Sequence, residues 1–254
     1  VIVATGGVSY PSTGSTGDGY DFAASVGHNI EPVRPSLTPL QTSHPQREYL
    51  NGLLLKNVGA KLYVDNELVQ EEFGELGFSE RGIEGAVALR MSRDAVDAII
   101  DEKRVKIVVD LKPALDEETL LARIDREIAE MQPNEFFSEL LRKLVPKQMV
   151  VPLAKEVDFH SKTYVSKLTE AEKLRLVKIL KGMAFPITDY APFQFAIVTA
   201  GGVVCNEVNK YTMQSEKVQG LYFAGEVLDI DANTGGYNMQ IAFSTGRLAG
   251  QLKK

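Results

Sequence analysis

Glycines and carboxylates gather at the two ends of this chain in an order that can hold a flat, phosphorylated ligand. At one end, Val1-Ile2-Val3-Ala4 runs into Thr5-Gly6-Gly7 and then GSTGDGY; at the other, Leu221-Tyr222-Phe223-Ala224 runs into Gly225, Glu226 and Asp229, then Thr234-Gly235-Gly236-Tyr237-Asn238. Thirteen of the 21 glycines lie in residues 1–20 and 201–250. Glycine reaches backbone conformations closed to other residues and lets a ligand approach the main chain, so the clustering marks where such a ligand would lie. An acid just past a buried strand accepts hydrogen bonds from ribityl or ribose hydroxyls, or else caps a turn. After Gly236 an amphipathic helix is expected to about Leu252, with its positive end towards developing negative charge. In a flavin site that charge is at the N1/O2 edge of the reduced ring. Ile241 and Phe243 are expected to pack on the sheet.

These signals differ in weight. ATGG alone also describes a tight strand-to-loop turn, and GSTGDG contains GxxGxG, the reverse of the dinucleotide fingerprint, without a Walker lysine. Composition bounds the rest. The chain has 254 residues, 44% of them hydrophobic, enough for sizeable cores. Its net charge of −6 and pI near 5.3 give no general electrostatic hold on nucleic acid. No apolar run approaches the ~20 residues that cross a bilayer, and no signal-peptide pattern opens the chain, so an acidic, soluble, cytoplasmic protein is expected. The single cysteine, Cys205, excludes an internal disulfide framework and a multi-cysteine metal site. His28, His44 and His160 lack metal-ligand spacing. His28 is expected at a helix C-terminus, His44 and His160 at the surface, and Cys205 in the core.

The elements that must position the glycine-rich ends follow from periodicity. Val1–Ala4 reads as a strand buried on both faces, which belongs inside a parallel sheet. Such a strand needs neighbours, and these imply a piece of a longer protein, with a missing N-terminal segment, or another chain that completes the sheet. Residues 1–35 form the first part of an α/β domain, with a helix from about Asp18 to Val26. Residues 36–110 alternate short apolar runs, Val87–Leu89 among them, with turn signals, a pattern of antiparallel sheet or small barrel. Seven acids against one base between Asp65 and Glu84 describe solvated hairpin surface. Residues 111–184 turn helical, with Leu120, Leu121, Ile124 and Ile128 on one face, cuts at Pro133, Pro146 and Pro152, and Thr169 capping a further helix. Residues 185–191 return the chain to the α/β domain, completed by 192–254.

VIVATGG-S-YPSTGSTGDGY, P-SLTPLQT, VTAGGV at 198–203 and GLYFAGEVLDIDANTGGYNMQIAFSTG at 220–246 together resemble the BaiN-type, aminoacetone-oxidase-like family of bacterial NAD(P)/FAD-dependent flavoproteins. The resemblance implies a Rossmann-like FAD-binding domain, incomplete here, with an inserted antiparallel β-barrel and a small helical domain. By the same resemblance Thr5, Gly6 and Gly7 line the FAD channel, Gly225, Glu226 and Asp229 approach the ribityl and pyrophosphate region, and Gly235, Gly236, Tyr237 and Asn238 approach the isoalloxazine. Gly201 and Gly202 face the flavin from another side. Two departures stand out. The family's opening βαβ unit with GxGxxG is not in this sequence, and Phe78–Gly85 follows only loosely a family block whose histidine it lacks.

The reading is a fragment of an FAD-dependent oxidoreductase passing hydride or electrons between NAD(P)H, or a small-molecule substrate, and flavin. No acid–base residue is identified and no metal is expected. One alternative is a non-catalytic fragment unable to hold FAD by itself. Another is a flavoprotein that modifies RNA, against which the acidic 65–84 stretch weighs.

Overall fold

A computed structural model of the chain describes residues 1–252. It has two compact units: one holds Val1–Leu40, Ala88–Ile100 and the chain from Asp189 onward, the other Gln41–Val87 and Asp101–Thr188. In chain order the strands are β1 (Ile2–Val3), β2 (Ile30–Ser36), β3 (Leu40–Thr42), β4 (Leu54–Val64), β5 (Glu67–Ser79), β6 (Gly82–Glu84), β7 (Val105–Asp110), β8 (Met183–Tyr190), β9 (Val198–Val203) and β10 (Tyr222–Phe223). The helices are α1 (Asp18–Ser25), α2 (Arg47–Leu50), α3 (Ala86–Ile100), α4 (Glu117–Ala129), α5 (Phe137–Leu144), α6 (Val150–Val157), α7 (Glu170–Lys181) and α8 (Tyr237–Gly250).

The first unit is α/β. β1 pairs in parallel with β10, Ile2 against Tyr222, and β2 pairs antiparallel with β9. Val3, Tyr20, Ala23, Val203, Phe223 and Val227 form the centre of its buried cluster. The opening strand therefore finds its partner some 220 positions along the chain, and the Val1 nitrogen donates to Gly220 O at 2.7 Å.

The second unit contains a closed barrel in the order β3-β6-β5-β4-β7-β8. Alternation sets its inside: in β7, Val105, Ile107 and Val109 are buried while their neighbours are not, and β8 buries Met183, Phe185 and Ile187. The β4–β5 hairpin turns at Asp65-Asn66, both with positive φ (48° and 71°), the backbone of a type I′ turn matched to strand twist. α4, α5, α6 and α7 pack together through buried Leu120, Ile124, Phe137, Leu140, Leu153 and Leu176. Thr169 caps α7 as expected, in a full capping box with Glu172.

Several local expectations are corrected. Val87–Leu89 is not a strand but the start of α3, in which Val87, Ala88, Met91, Ser92, Ala95 and Val96 are buried at helical spacing. Three apolar residues in a row cannot tell the two periods apart. Pro152 does not interrupt a helix; it sits in the first turn of α6, where its missing N–H removes no helical bond. Phe243 does not pack on the sheet and is 65% exposed. Cys205 is exposed rather than in the core, and its thiol donates to Asp229 O at 3.3 Å.

His28 stands at the end of α1 as expected, its N–H donating to Ala23 O at 3.0 Å, but its side chain is buried, and His44 is buried against the expectation of surface placement. His28 Nε2 lies 2.7 Å from Ser215 Oγ, and Nδ1 lies 3.2 Å from Glu207 Oε2. Ser215 Oγ already accepts from the N–H groups of Lys217 and Val218, so its proton goes to a neutral Nε2. His44 stacks against Phe185 and its Nδ1 accepts from Gln46 N. Burial pushes both imidazoles below the ordinary histidine value, with Glu207 and Glu156 opposing it in part. Glu207 is held down to about 2 by hydrogen bonds from Lys217 and Asn29. In all three the folded value is depressed, so their stability contribution is complete above the unfolded value and is lost as pH falls through the folded one. Melting temperature should therefore hold above about pH 6.5, decline below it as the histidines charge, and decline again below about pH 4.3 as Glu207 protonates. A melting temperature that stays flat from pH 7.5 to 5 would overturn the assignment of both histidines as buried and neutral.

Candidate functional site

The α/β unit places the glycine-rich loop after β1 and the acid after β10 side by side, because the two strands are parallel neighbours and end together. Gly7 is the closest point of contact. A Cβ there would strike Thr199 Oγ1 and approach Glu226 Oε1 to 2.5 Å. Thr199, on β9, ties the loop down: its hydroxyl accepts from Val8 N at 3.0 Å and Ser9 N at 3.1 Å, while its own N–H donates to Glu226 Oε1 at 3.0 Å. That leaves Oε2 of Glu226 as the oxygen available to a ligand hydroxyl. Thr5 is exposed, and a Cβ on Gly19, in the first turn of α1, would run into its hydroxyl. Gly6, at φ 76°, makes the bend.

Gly201 and Gly202 sit beside this group for a reason of their own. Both are buried with φ of 85° and 131°, and a Cβ would meet Pro32 O and Glu31 O at Gly201, or Val227 O at Gly202. They allow three backbone segments to close on one another.

The second group, Gly235 to Asn238, begins α8. Gly236 is its N-cap at φ 87°, with no side-chain cap and no acid in the first turn. Asn238 closes the preceding loop by accepting from Ala232 N and donating to Ala232 O at 2.8 and 2.7 Å. Tyr237 is 62% exposed. The two groups are joined by Gly225 N, which donates to Thr245 Oγ1 on α8 at 2.9 Å, while Asp229 N is fixed to the end of β9 by its bond to Val203 O at 2.9 Å.

Residues that sequence reasoning passed over complete the picture. Asp231, its side chain 4% exposed, accepts from Ser36 Oγ at 2.9 Å and lies 3.3 Å from Arg93, so it anchors the loop that Asn238 closes. Arg34 forks onto Asp97, and its guanidinium is held above its ordinary value by that pair first, with Asp231 and Asp229 adding to it. Tyr20 is the most telling. It is 8% exposed, and its hydroxyl is buried without a hydrogen-bond partner. Its ring lies against Gly202, and burial together with the Glu226 charge raises its pKa, which keeps it a proton donor. Tyr20 lies in the DGY triplet that opens α1, and nothing in that triplet marks its hydroxyl.

The Ser215–His28–Glu207 line has the order of a nucleophile, base and acid, but the buried Ser215 oxygen already takes two backbone bonds and serves as a pin. Among the described residues no three His, Cys, Asp or Glu side chains are grouped to hold a metal ion, and no helix is long and apolar enough to cross a membrane.

A parallel strand pair ending in a glycine loop and an acid, with a closed barrel elsewhere in the chain, defines a Rossmann-like α/β protein with a barrel insert. The chain belongs to the HI0933-like protein Rossmann domain family, whose model matches residues 1–252. It is 32% identical, over 99% of its length and 61% of the relative's, to a 3-dehydro-bile acid delta(4,6)-reductase of Clostridium scindens. It is 31% identical to a ribosomal RNA dihydrouridine synthase of Escherichia coli and 29% identical to one of Haemophilus influenzae, each over 96% of this chain and 58% of the relative. The chain thus spans about three fifths of the length of these curated relatives.

Proposed function

We propose that this chain carries much of the FAD site of an oxidoreductase that reduces a carbon–carbon double bond conjugated to a carbonyl, with NAD(P)H as electron donor. The observation that carries the reading is the Gly6-Gly7 loop set against Glu226 where parallel β1 and β10 end, with the buried, unpartnered Tyr20 hydroxyl near Gly202 and in the field of the Glu226 charge. A donor left unpaired in a packed interior costs about 1–3 kcal/mol unless a ligand or ordered water meets it. The residues present fit the cofactor. Gly6 and Gly7 allow a flat ligand against the main chain, Glu226 Oε2 and Asp229 suit ribityl hydroxyls, and the α8 N-terminus suits a partial negative charge. When bound, flavin supplies the hydride acceptor and donor. This chain's groups bind and orient it: Thr199 fixes the loop, and Asp231 and Asn238 fix the approach to Gly235 and Tyr237.

The relatives support the reaction class. A 3-dehydro-bile acid delta(4,6)-reductase and a dihydrouridine synthase both, by their names, add hydrogen across ring double bonds, one on a steroid and one on a nucleobase. Further strands, from a longer polypeptide or a second chain, would complete the two-stranded parallel sheet of β1 and β10. The test is FAD titration followed by the visible spectrum, for residues 1–254 and for a protein of the relatives' length. A bound flavin that NADH or NADPH bleaches and an enone reoxidises supports the proposal. A longer protein that stays colourless overturns it, and flavin held only by the longer protein identifies this chain as the non-catalytic part. RNA as the substrate is the second reading, supported by the two dihydrouridine synthase relatives; a salt-dependent RNA mobility shift tests it.

Replacing Tyr20 with phenylalanine separates the site from the core around it. Without FAD the variant should melt at the same temperature or slightly higher, since it loses an unsatisfied hydroxyl; FAD binding should weaken about five-fold, the value of one hydrogen bond. A lower melting temperature with unchanged FAD affinity would show that the hydroxyl serves the fold alone.

A further inference from the structure

The barrel unit holds a cavity of about 630 Å³ that the reading above does not use. It is lined by three cations, Lys56, Lys112 and Arg123, with Phe73, Leu111 and Leu115 as its apolar wall, and no acid lines it. In a chain with a net charge of −6 that is a local inversion of sign. The cations are poorly compensated. Among the described residues no carboxylate pairs with the Lys112 ammonium; Lys56 is 3.9 Å from Glu75, and Arg123 has Nε 3.8 Å from Glu127 and donates from Nη2 to Lys143 O at a long 3.4 Å. Lys112 and Arg123 are close enough to oppose one another's charge, which, after burial, helps to pull the lysine below its ordinary value.

The wall is built in advance. Lys181 Nζ bonds Lys112 O at 3.0 Å and Leu115 O at 2.6 Å while paired with Asp110 at 2.6 Å, and Lys112 N donates to Asp110 Oδ1. Opposite it, the β4 register shifts between Leu55 and Val58, where Asn57 takes a φ of 55° and also lines the cavity. Bulges of this kind re-aim side chains beside sites. A fixed loop presenting like charges into an apolar cavity of ligand size is organised for an anion with a hydrophobic body.

We propose that this cavity binds an amphiphilic organic anion, its ring or chain against Phe73, Leu111 and Leu115 and its carboxylate or phosphate head between Lys112 and Arg123. The probes are 2-naphthoate, 2-naphthyl phosphate and the neutral 2-naphthalenemethanol, titrated calorimetrically into residues 1–254. Saturable one-site binding is expected for at least one anion, ten-fold or more tighter than for the alcohol, and the stronger of the two identifies the head group. Lys112→Gln and Arg123→Gln should each weaken anion binding about ten-fold and leave the alcohol unchanged. Without ligand, Lys112→Gln should melt no lower than the parent, because it relieves repulsion. Equal affinity for anions and alcohol, or undiminished anion binding in the double variant, overturns the proposal. So does a Lys112→Gln variant that unfolds at lower temperature, since the ammonium would then already have a partner inside the fold.

Discussion

Gly201→Ala is expected to destabilise the α/β unit by about 3 kcal/mol or more. Two penalties combine. At φ 85° a side chain pays roughly 1–2 kcal/mol for left-handed backbone, and the added Cβ would be driven into Pro32 O, with Glu31 O at 2.9 Å. Neither oxygen can retreat easily, because β2 is hydrogen-bonded to β9 on both sides of the contact, Glu31 opposite Gly202 and Arg34 opposite Ala200. Overpacking of this kind adds about 1–3 kcal/mol. Gly27→Ala is the control: φ is 91°, but a Cβ there meets nothing within 4 Å, so only the strain remains, about 1 kcal/mol. Denaturant unfolding of the two variants checks the difference. If Gly201→Ala proves no worse than Gly27→Ala, the close approach of β2 and β9 is wrong.

Phe185→Ala should weaken the barrel by about 3–5 kcal/mol, the range for truncating a fully buried aromatic. Its side chain is 0% exposed at the middle of β8, with ring centroids 5.2 Å from Phe78 and 4.8 Å from His44. The vacated volume would be bounded by β5 and β8, whose backbones are held in register by the closed barrel, so little collapse can refill it. Phe73, on the same strand as Phe78 but 60% exposed, supplies the comparison; its truncation should change stability by no more than about 0.5 kcal/mol. Equal losses for Phe73→Ala and Phe185→Ala would refute the assignment of inside and outside along β5 and β8.

What the sequence disclosed was local. The α7 cap needed only Thr169 and Glu172 three residues apart, and the acidic stretch from Asp65 was readable as hairpin surface because strand alternation flanks it. The α/β ends were readable because strand, glycine and acid follow within a few residues. What escaped was settled by distant partners. His28 ends α1 as read, but that its ring is buried depends on Ser215, 187 positions away. His44 looks like loop surface until β8 brings Phe185 against its ring. Val87–Leu89 resembled a strand because the repeat that reveals α3 extends to Val96. Tyr20 was invisible as a site residue for another reason: a tyrosine in a core is ordinary, and that its hydroxyl lacks a partner depends on the fold around it.

The pairing of Ile2 with Tyr222 also bears on when the site can exist during synthesis. Ribosomes add about 5–20 residues per second, so β1 leaves the exit tunnel tens of seconds before its neighbour is made. The barrel, whose last strand ends at Tyr190, can close first. For that interval the apolar Val1-Ile2-Val3 segment has no β10 beside it, and the nascent chain is open to capture by a chaperone until residues 220–250 emerge and bring the Gly6-Gly7 loop and Glu226 together.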